Sequence, residues 1–586
     1  MKILLLCSSF NGLTQRVWLE LRGAGHDVSW TVADGDDVLC ATVDAVDPDL
    51  ILCPFLRERV PDAVWRGRRT VILHPGPVGD RGPSSLDWAI SDGEAEWGVT
   101  ALSAIAEMDA GPIWGTRTFP LPAAPLRKSA LYVGPVADAA VELALEVAEK
   151  AAQADFVPEP VDADSAPGRW RPAMSQSDRA FSWSDPTAHV LRRIRAADGA
   201  PGVRTELAGL AVSVFDAHCG AAQLPEAQLS EGRVAEGRHG GEPGTIALRR
   251  AGAVLVRTGD GAVWIGHARP VPGSSPEPRV KLPAATVLGD RIADVPEALD
   301  PVDGDTGGQG EISYRRLGGV GVLTFDFYNG AASTGQCHRL AAALRTAVAQ
   351  DTRVLLLQGG DVFCNGVNLN VIEARRDAAA EAWRNINAID DVCREIITCT
   401  GQLVVAAVGG NAGAGGVMLA LGADQVLLRA GVVLNPHYRT MGLFGSEYWT
   451  YVLPRRVGDH RAARLTEECL PLGAVDAVEI GLADAVLPGD RAAFDDAVLT
   501  HVQALAEHEH LPHWLAAKAA ARDDDEHHRP LETYRVRELA EMSHDIFDDR
   551  SGFAAARRAF VSKERPLPAA QTNGTALGAP VPARVG

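Results

Sequence analysis

Two sets of residues in this 586-residue chain have types and spacing suited to carbonyl chemistry. His74 closes the apolar run TVILH and opens a Pro/Gly loop, while Asp109 sits in the turn EMDAG. An imidazole titrates near neutrality and a carboxylate can orient or charge it, so the two make an acid/base pair for proton transfer. The second set centres on AVGGNAGAGGVMLALGAD, Ala407–Asp424, where an apolar run enters a glycine cluster and a helical apolar pattern leaves. Glycines at such a junction allow close approach of a ligand, and the helix start leaves main-chain N–H groups without intrahelical partners. Groups of that kind stabilise a developing oxyanion. Downstream, NPHYRTMGLFGSEYW adds the phenol of Tyr438 and the carboxylate of Glu447. A dinucleotide loop is the poorer reading of the glycines, because no G-x-G-x-x-G of proper form opens the helix.

The elements that must position these residues are legible as periodicities. Lys2–Cys7 reads as a buried strand, Leu13–Leu21 as an amphipathic helix, and His26–Trp30, Leu50–Cys53 and Thr70–Leu73 as further strands. That alternation predicts an α/β fold with a parallel sheet and ligand-binding loops at its carboxyl edge. Alternating apolar residues with Gly-Asp-Gly turns over Pro243–Pro270 predict a small β-barrel. A second α/β pattern follows: strands at Gly321–Asp326, Arg353–Gln358 and Leu403–Val408, and a helix at Gln336–Val348. Glu532–Glu564 has helical apolar spacing. The expected domains are 1–170, 171–293, an acidic flexible linker at 294–310, 311–565, and a disordered tail at 566–586.

Composition bounds the function. A net charge of −20 argues against binding nucleic acid or an anionic membrane surface. No apolar run approaches a membrane span, and the start MKILLLCSSF is too short for a signal segment, so a cytoplasmic protein is expected. Nine scattered cysteines without CxxC or Cys/His spacing read as reduced thiols, and no metal site is expected. The run Asp523–Arg529 reads as a solvated charge cluster.

Two family resemblances sharpen this reading. VILHPGPVGDRGPSSLDWAI followed by WGVTALSAIAEMDAGPIW resembles the 10-formyltetrahydrofolate formyltransferases. The resemblance implies that His74 and Asp109 are catalytic, and that Ser9, Asn11, Cys53 and Phe55 flank the pterin. The family's catalytic Asn position is Ile72 here, so the amide that polarises the formyl oxygen is missing. The stretch from Phe181 to Pro270 resembles the same enzymes' C-terminal domain, an OB-like barrel. Residues 311–564 resemble the crotonase superfamily of enoyl-CoA hydratases and isomerases, through the turn Phe363–Asn368 and the glycine stretch. This resemblance implies an oxyanion hole from the N–H groups of Val367 and Gly415, with Gly366 and Gly416 beside the coenzyme A thioester. Met418 stands where hydratases carry a catalytic Glu, so a carboxylate pair for adding water is absent. Tyr438 and Glu447 are the remaining acid/base candidates.

The order of the two halves, with GDRGPSSLDWAI, EAWRNINAIDDVCREIIT, LNPHY and GSEYWTYVLPRRVG, resembles the hydrogenase maturation HypX (HoxX) family nearly end to end. The resemblance implies formyl transfer from 10-formyltetrahydrofolate to coenzyme A, then decarbonylation of formyl-CoA to the CO ligand of [NiFe]-hydrogenase. Tetrahydrofolate and coenzyme A are the implied small molecules, and hydrogenase maturation proteins the implied partners. Two alternatives stand beside it: an amine formyltransferase fused to a CoA-ester isomerase or hydrolase, and a non-catalytic maturation platform.

Overall fold

A computed structural model of the chain describes residues 1–122, 126–162, 166–220, 241–274, 280–303 and 310–563. The tail expected at 566–586 lies outside the described residues. The described residues divide into two compact units, residues 1–205 with 215–217, and residues 206–214 with those from 218 to 563.

The first unit is built on six strands, β1 (Lys2–Cys7), β2 (Asp27–Val32), β3 (Leu50–Phe55), β4 (Thr70–His74), β5 (Glu96–Ser103) and β6 (Ile113–Pro120), in the order β2-β1-β3-β4-β5-β6. Every residue of β1 after Lys2 is buried, which is why its sequence is an unbroken apolar run rather than an alternation. The four strands β1 to β4 pair in parallel. β5 and β6 depart from the parallel sheet expected, each running antiparallel to its neighbour. The excursion after His74 returns beside the strand end it left, pairing Thr100 with His74. The connection from β5 to β6 is then too short for a crossover, which takes a dozen or more residues. Cys7, Phe55 and His74 end their strands at the carboxyl edge, where open α/β sheets bind ligands.

A second sheet uses β7 (Val203–Leu207), β8 (Leu210–Gly220), β9 (Ile246–Arg250), β10 (Ala253–Arg257), β11 (Ala262–Pro270) and the short β12 (Leu282–Pro283), in the order β7-β8-β11-β10-β9 with β12 on β11. Trp264 is fully buried in it. Residues 294–303, expected as part of a flexible linker, are tied down: Ala298 N–H donates to the Arg249 carbonyl at 2.7 Å, and Asp300 pairs with Arg339 at 3.3 Å.

The larger sheet of the second unit runs β13 (Ile312–Leu317), β14 (Val320–Phe325), β15 (Val354–Gly359), β16 (Leu403–Val408), β18 (Gln425–Arg429) and β21 (Ala485–Leu487) in that order. Only β13 is antiparallel to its neighbour. Three short strands, β17 (Ala412–Gly413), β19 (Val433–Asn435) and β20 (Leu472–Gly473), form a small separate sheet. β15 and β16 are buried along their whole length. The helices Thr334–Val348 and Ala378–Ile397 pack together. The helical stretch from Glu532 is two helices, Leu531–Phe547 and Phe553–Ser562, separated where Asp549 and Gly552 take positive φ. Among the described residues no helix is long and apolar enough to cross a membrane.

Candidate active sites

In the first unit β4 delivers His74 into a buried position between two carboxylates. Nε2 lies 2.9 Å from Asp80 Oδ2, and Nδ1 lies 3.6 Å from Asp109 Oδ2. Asp109, at φ 53, is steadied by the Gly82 N–H, which donates to its Oδ2 at 3.1 Å. Gly76 is required beneath the pair, because a Cβ there would lie 2.3 Å from Asp80 Oδ2 and 2.6 Å from His74 Nε2. Burial alone would pull the imidazole pKa down; Asp80 and Asp109 outweigh it and hold the ring's pKa above its ordinary value. Nε2 is committed to Asp80, and Nδ1 faces the Asp109 carboxylate at a longer distance. The sequence reading missed Asp80, six residues beyond His74, because the loop carrying it reads only as Pro/Gly turn chemistry.

The residues expected around a pterin are disposed unequally. Asn11 spends its side chain locally, accepting from Thr14 N–H at 3.0 Å and donating to Tyr132 Oη at 3.5 Å. Ser9 is exposed, and its carbonyl accepts from Asn11 N–H. The Cys53 thiol is buried in the apolar core with its pKa pushed up by that burial, so only the backbone there could meet a ligand. Ile72 packs against the same core. Phe55 contacts Tyr132 edge-to-face with centroids 6.0 Å apart, and the Arg57 guanidinium lies 5.1 Å over Phe55. These three form an aromatic and cationic ledge, joined to the first loop where Ser8 N–H donates to the Phe55 carbonyl.

In the second unit the turn Phe363–Asn368 abuts the glycine stretch. Gly413 N–H donates to the Cys364 carbonyl at 2.9 Å, and Gly366, at φ +76, donates its N–H to Cys364 Sγ at 3.3 Å. A Cβ on Gly366 would lie 3.3 Å from the Gly415 nitrogen, and one on Gly416 would lie 2.1 Å from the Cys364 carbonyl oxygen. Among the described residues neither Val367 N–H nor Gly415 N–H has a hydrogen-bond partner. The two orphan donors are therefore neighbours at the start of the helix Gly415–Leu421.

Glu447 completes this site. It is buried, and its Oε2 accepts from Tyr438 Oη at 2.8 Å, Ser446 Oγ at 2.9 Å and Ser446 N–H at 3.2 Å. Its Oε1 faces the glycines: a Cβ on Gly415 would lie 2.1 Å from it. No described group hydrogen-bonds Oε1. Burial raises the Glu447 pKa more than Tyr438 and Ser446 lower it. The phenol of Tyr438, its pKa pushed up by burial and by Glu447, stays protonated and donates. Met418 is fully buried in apolar core, and His437, its pKa lowered by burial, places Nδ1 2.9 Å from the Asn435 carbonyl. The structure thus brings Val367, Gly415, Tyr438 and Glu447 together, and adds Ser446, a loop serine with no periodic signal.

The two folds define a class: a formyltransferase-like part followed by an enoyl-CoA hydratase-like part. Family models agree, a formyl transferase C-terminal domain matching residues 173–275 and enoyl-CoA hydratase/isomerase matching residues 318–566. A hydrogenase maturation factor HoxX from Bradyrhizobium diazoefficiens is 43% identical over 99% of this chain and 97% of its own length. The chain belongs to the HypX (HoxX) family of hydrogenase maturation factors. The crystal structure of HypX from Aquifex aeolicus in complex with tetrahydrofolic acid is similar at 38% identity and a TM-score of 0.89, covering 97% of each chain. A methionyl-tRNA formyltransferase from Roseiflexus castenholzii is 30% identical over 34% of this chain and 57% of its own.

Proposed function

We propose that the chain makes carbon monoxide for [NiFe]-hydrogenase assembly in two steps. In the first, the formyl group of 10-formyltetrahydrofolate passes to the thiol of coenzyme A: the C–N bond breaks, a C–S bond forms, and the thiol proton ends on N10. The tetrahydrofolate complex of the Aquifex relative supports a folate substrate here. The Phe55–Arg57–Tyr132 ledge has the faces and charge to hold a pterin. His74, protonated between its carboxylates, donates from Nδ1 to the formyl oxygen and so takes up the work of the amide absent at Ile72. Asp109 accepts the thiol proton. Thiols are more acidic than amines, so this acceptor asks less of the base.

In the second step formyl-CoA loses CO. The formyl C–H and C–S bonds break and the proton passes to sulfur, giving CO and coenzyme A with no net redox change. Val367 and Gly415 N–H hold the formyl oxygen; removing one such donor typically costs 10²–10³-fold in rate. Glu447 Oε1 carries the proton from carbon to sulfur, with Tyr438 and Ser446 fixing the carboxyl through Oε2. The observation that carries this reading is the pairing of one free carboxyl oxygen at the oxyanion donors with apolar Met418 in place of a second carboxylate. Such a site moves a proton but does not activate water. The test is to supply 10-formyltetrahydrofolate and coenzyme A and to follow tetrahydrofolate, formyl-CoA and CO together. Tetrahydrofolate without CO would remove the second step.

A further inference from the structure

Glu447 and Tyr448 occupy the left-handed region in succession, at φ 61 and φ 57. Neither is Gly or Asn, and each such residue costs about 1–2 kcal/mol. Something must hold them. Asp390, fully buried on the helix Ala378–Ile397, accepts the Glu447 N–H on Oδ1 at 2.8 Å. Glu538, fully buried on Leu531–Phe547, accepts the Tyr448 N–H on Oε2 at 2.9 Å and the Thr450 N–H on Oε1 at 2.8 Å. Thr450 Oγ1 also donates to Oε1, at 2.5 Å.

We propose that Asp390 and Glu538 are positioning residues that hold the Glu447–Tyr448 pair left-handed, so that Glu447 Oε1 stands over Gly415. Two carboxyl side chains on separate helices thus grip successive N–H groups of one strained dipeptide. A cluster this acidic is a costly way to fill a core. Asp390 Oδ2 has no hydrogen-bond partner, and the cation beside it, Arg535 Nε at 3.8 Å, shares its guanidinium with Asp391 at 2.8 Å. Buried like charges disfavour one another's ionisation, and the one guanidinium beside Asp390 is shared. Burial, followed by the neighbouring carboxyls, pushes the Asp390 pKa well up; burial raises that of Glu538 to about 8. Apolar residues would fill this space at less cost. What they could not supply is acceptors for the N–H groups of an inverted turn. This assignment rests on the reading of Glu447 as the proton carrier of decarbonylation.

The two isosteric amides should behave differently. Asp390 receives one N–H on one oxygen, so Asp390→Asn keeps an acceptor. Glu538 needs both oxygens as acceptors, and Glu538→Gln sets an NH₂ against an N–H. A misplacement near 1 Å costs about 100-fold in rate. CO release from supplied formyl-CoA should therefore fall about 100-fold in kcat for E538Q and D390A, with KM unchanged, and stay within about 3-fold for D390N. Formyl transfer from folate to coenzyme A should be unaltered in all three. Should E538Q fail to fold, D390A against D390N decides. Equal behaviour of the two amides, a change confined to KM, or loss of folding in both E538Q and D390A would overturn the assignment. Wild-type protein releasing no CO would instead remove the functional reading beneath it.

Discussion

Gly415 gives the strongest single perturbation. A Cβ at this position would lie 2.1 Å from Glu447 Oε1, 2.4 Å from Cδ and 3.0 Å from Cγ. Contacts that short do not persist, so Gly415→Ala must displace the carboxyl by about an ångström or more. The carboxyl cannot swing away at little cost, because Oε2 is held by Tyr438 and Ser446 and the main chain by Asp390. In the proposed decarbonylation, either Glu447 then moves off the reacting carbon or the Gly415 N–H moves off the formyl oxygen. Loss of one oxyanion donor alone is worth about 2.7–4 kcal/mol, or 10²–10³ in kcat. Alanine has the higher helix propensity, so the helix start itself gains. The assay is CO release from formyl-CoA, trapped by a reduced haem reporter, with formyl transfer from folate as an internal control. A G415A protein that releases CO within about 3-fold of wild type would refute the assignment of Gly415 and Glu447 to one site.

Three further outcomes follow. Asp80 helps hold the His74 pKa above its ordinary value, so this pair contributes stability below about pH 6.5 that is lost as pH rises through the His74 value of the folded protein; Asp80→Asn should lower the His74 midpoint in an NMR titration, and move the alkaline limb of formyl transfer to lower pH. Glu538 binds its proton more tightly folded than unfolded, so its contribution falls as pH rises from about 4.3 to about 8; Glu538→Gln should flatten the decline in denaturant midpoint over that window. Met418 is fully buried, and Met418→Ala should cost about 2–5 kcal/mol in a denaturant titration.

Much of the fold was legible because its strands are apolar runs with turn chemistry between them: Lys2–Cys7 and Leu403–Val408 form where expected, and Leu50–Cys53 runs on to Phe55. The antiparallel β5 and β6 were not, since strand direction is set by where a connection returns, which residue pattern does not encode. The glycines of 409–416 pointed to a close-approach site, but the partners that crowd them, Cys364 and Glu447, come from distant loops. Asp80 was hidden in a loop whose glycines and prolines explain themselves locally. Asp390 and Glu538 were hidden in amphipathic helices, where an acidic residue reads as solvent-facing; only packing shows both to be buried. The absences were the more legible signal, as Ile72 and Met418 each stand where the resembled families carry a residue their usual chemistry needs.

In the proposed route a folate-borne formyl carbon leaves this protein as carbon monoxide through coenzyme A. The direct measurement supplies 10-[¹³C]formyltetrahydrofolate with and without coenzyme A and follows ¹³CO on a haem reporter. The expected result is ¹³CO in proportion to tetrahydrofolate, dependent on coenzyme A and abolished by Glu447→Gln, which lets formyl-CoA accumulate. Tetrahydrofolate appearing with ¹³C-formate or a ¹³C-formyl amine, and no ¹³CO, would contradict it.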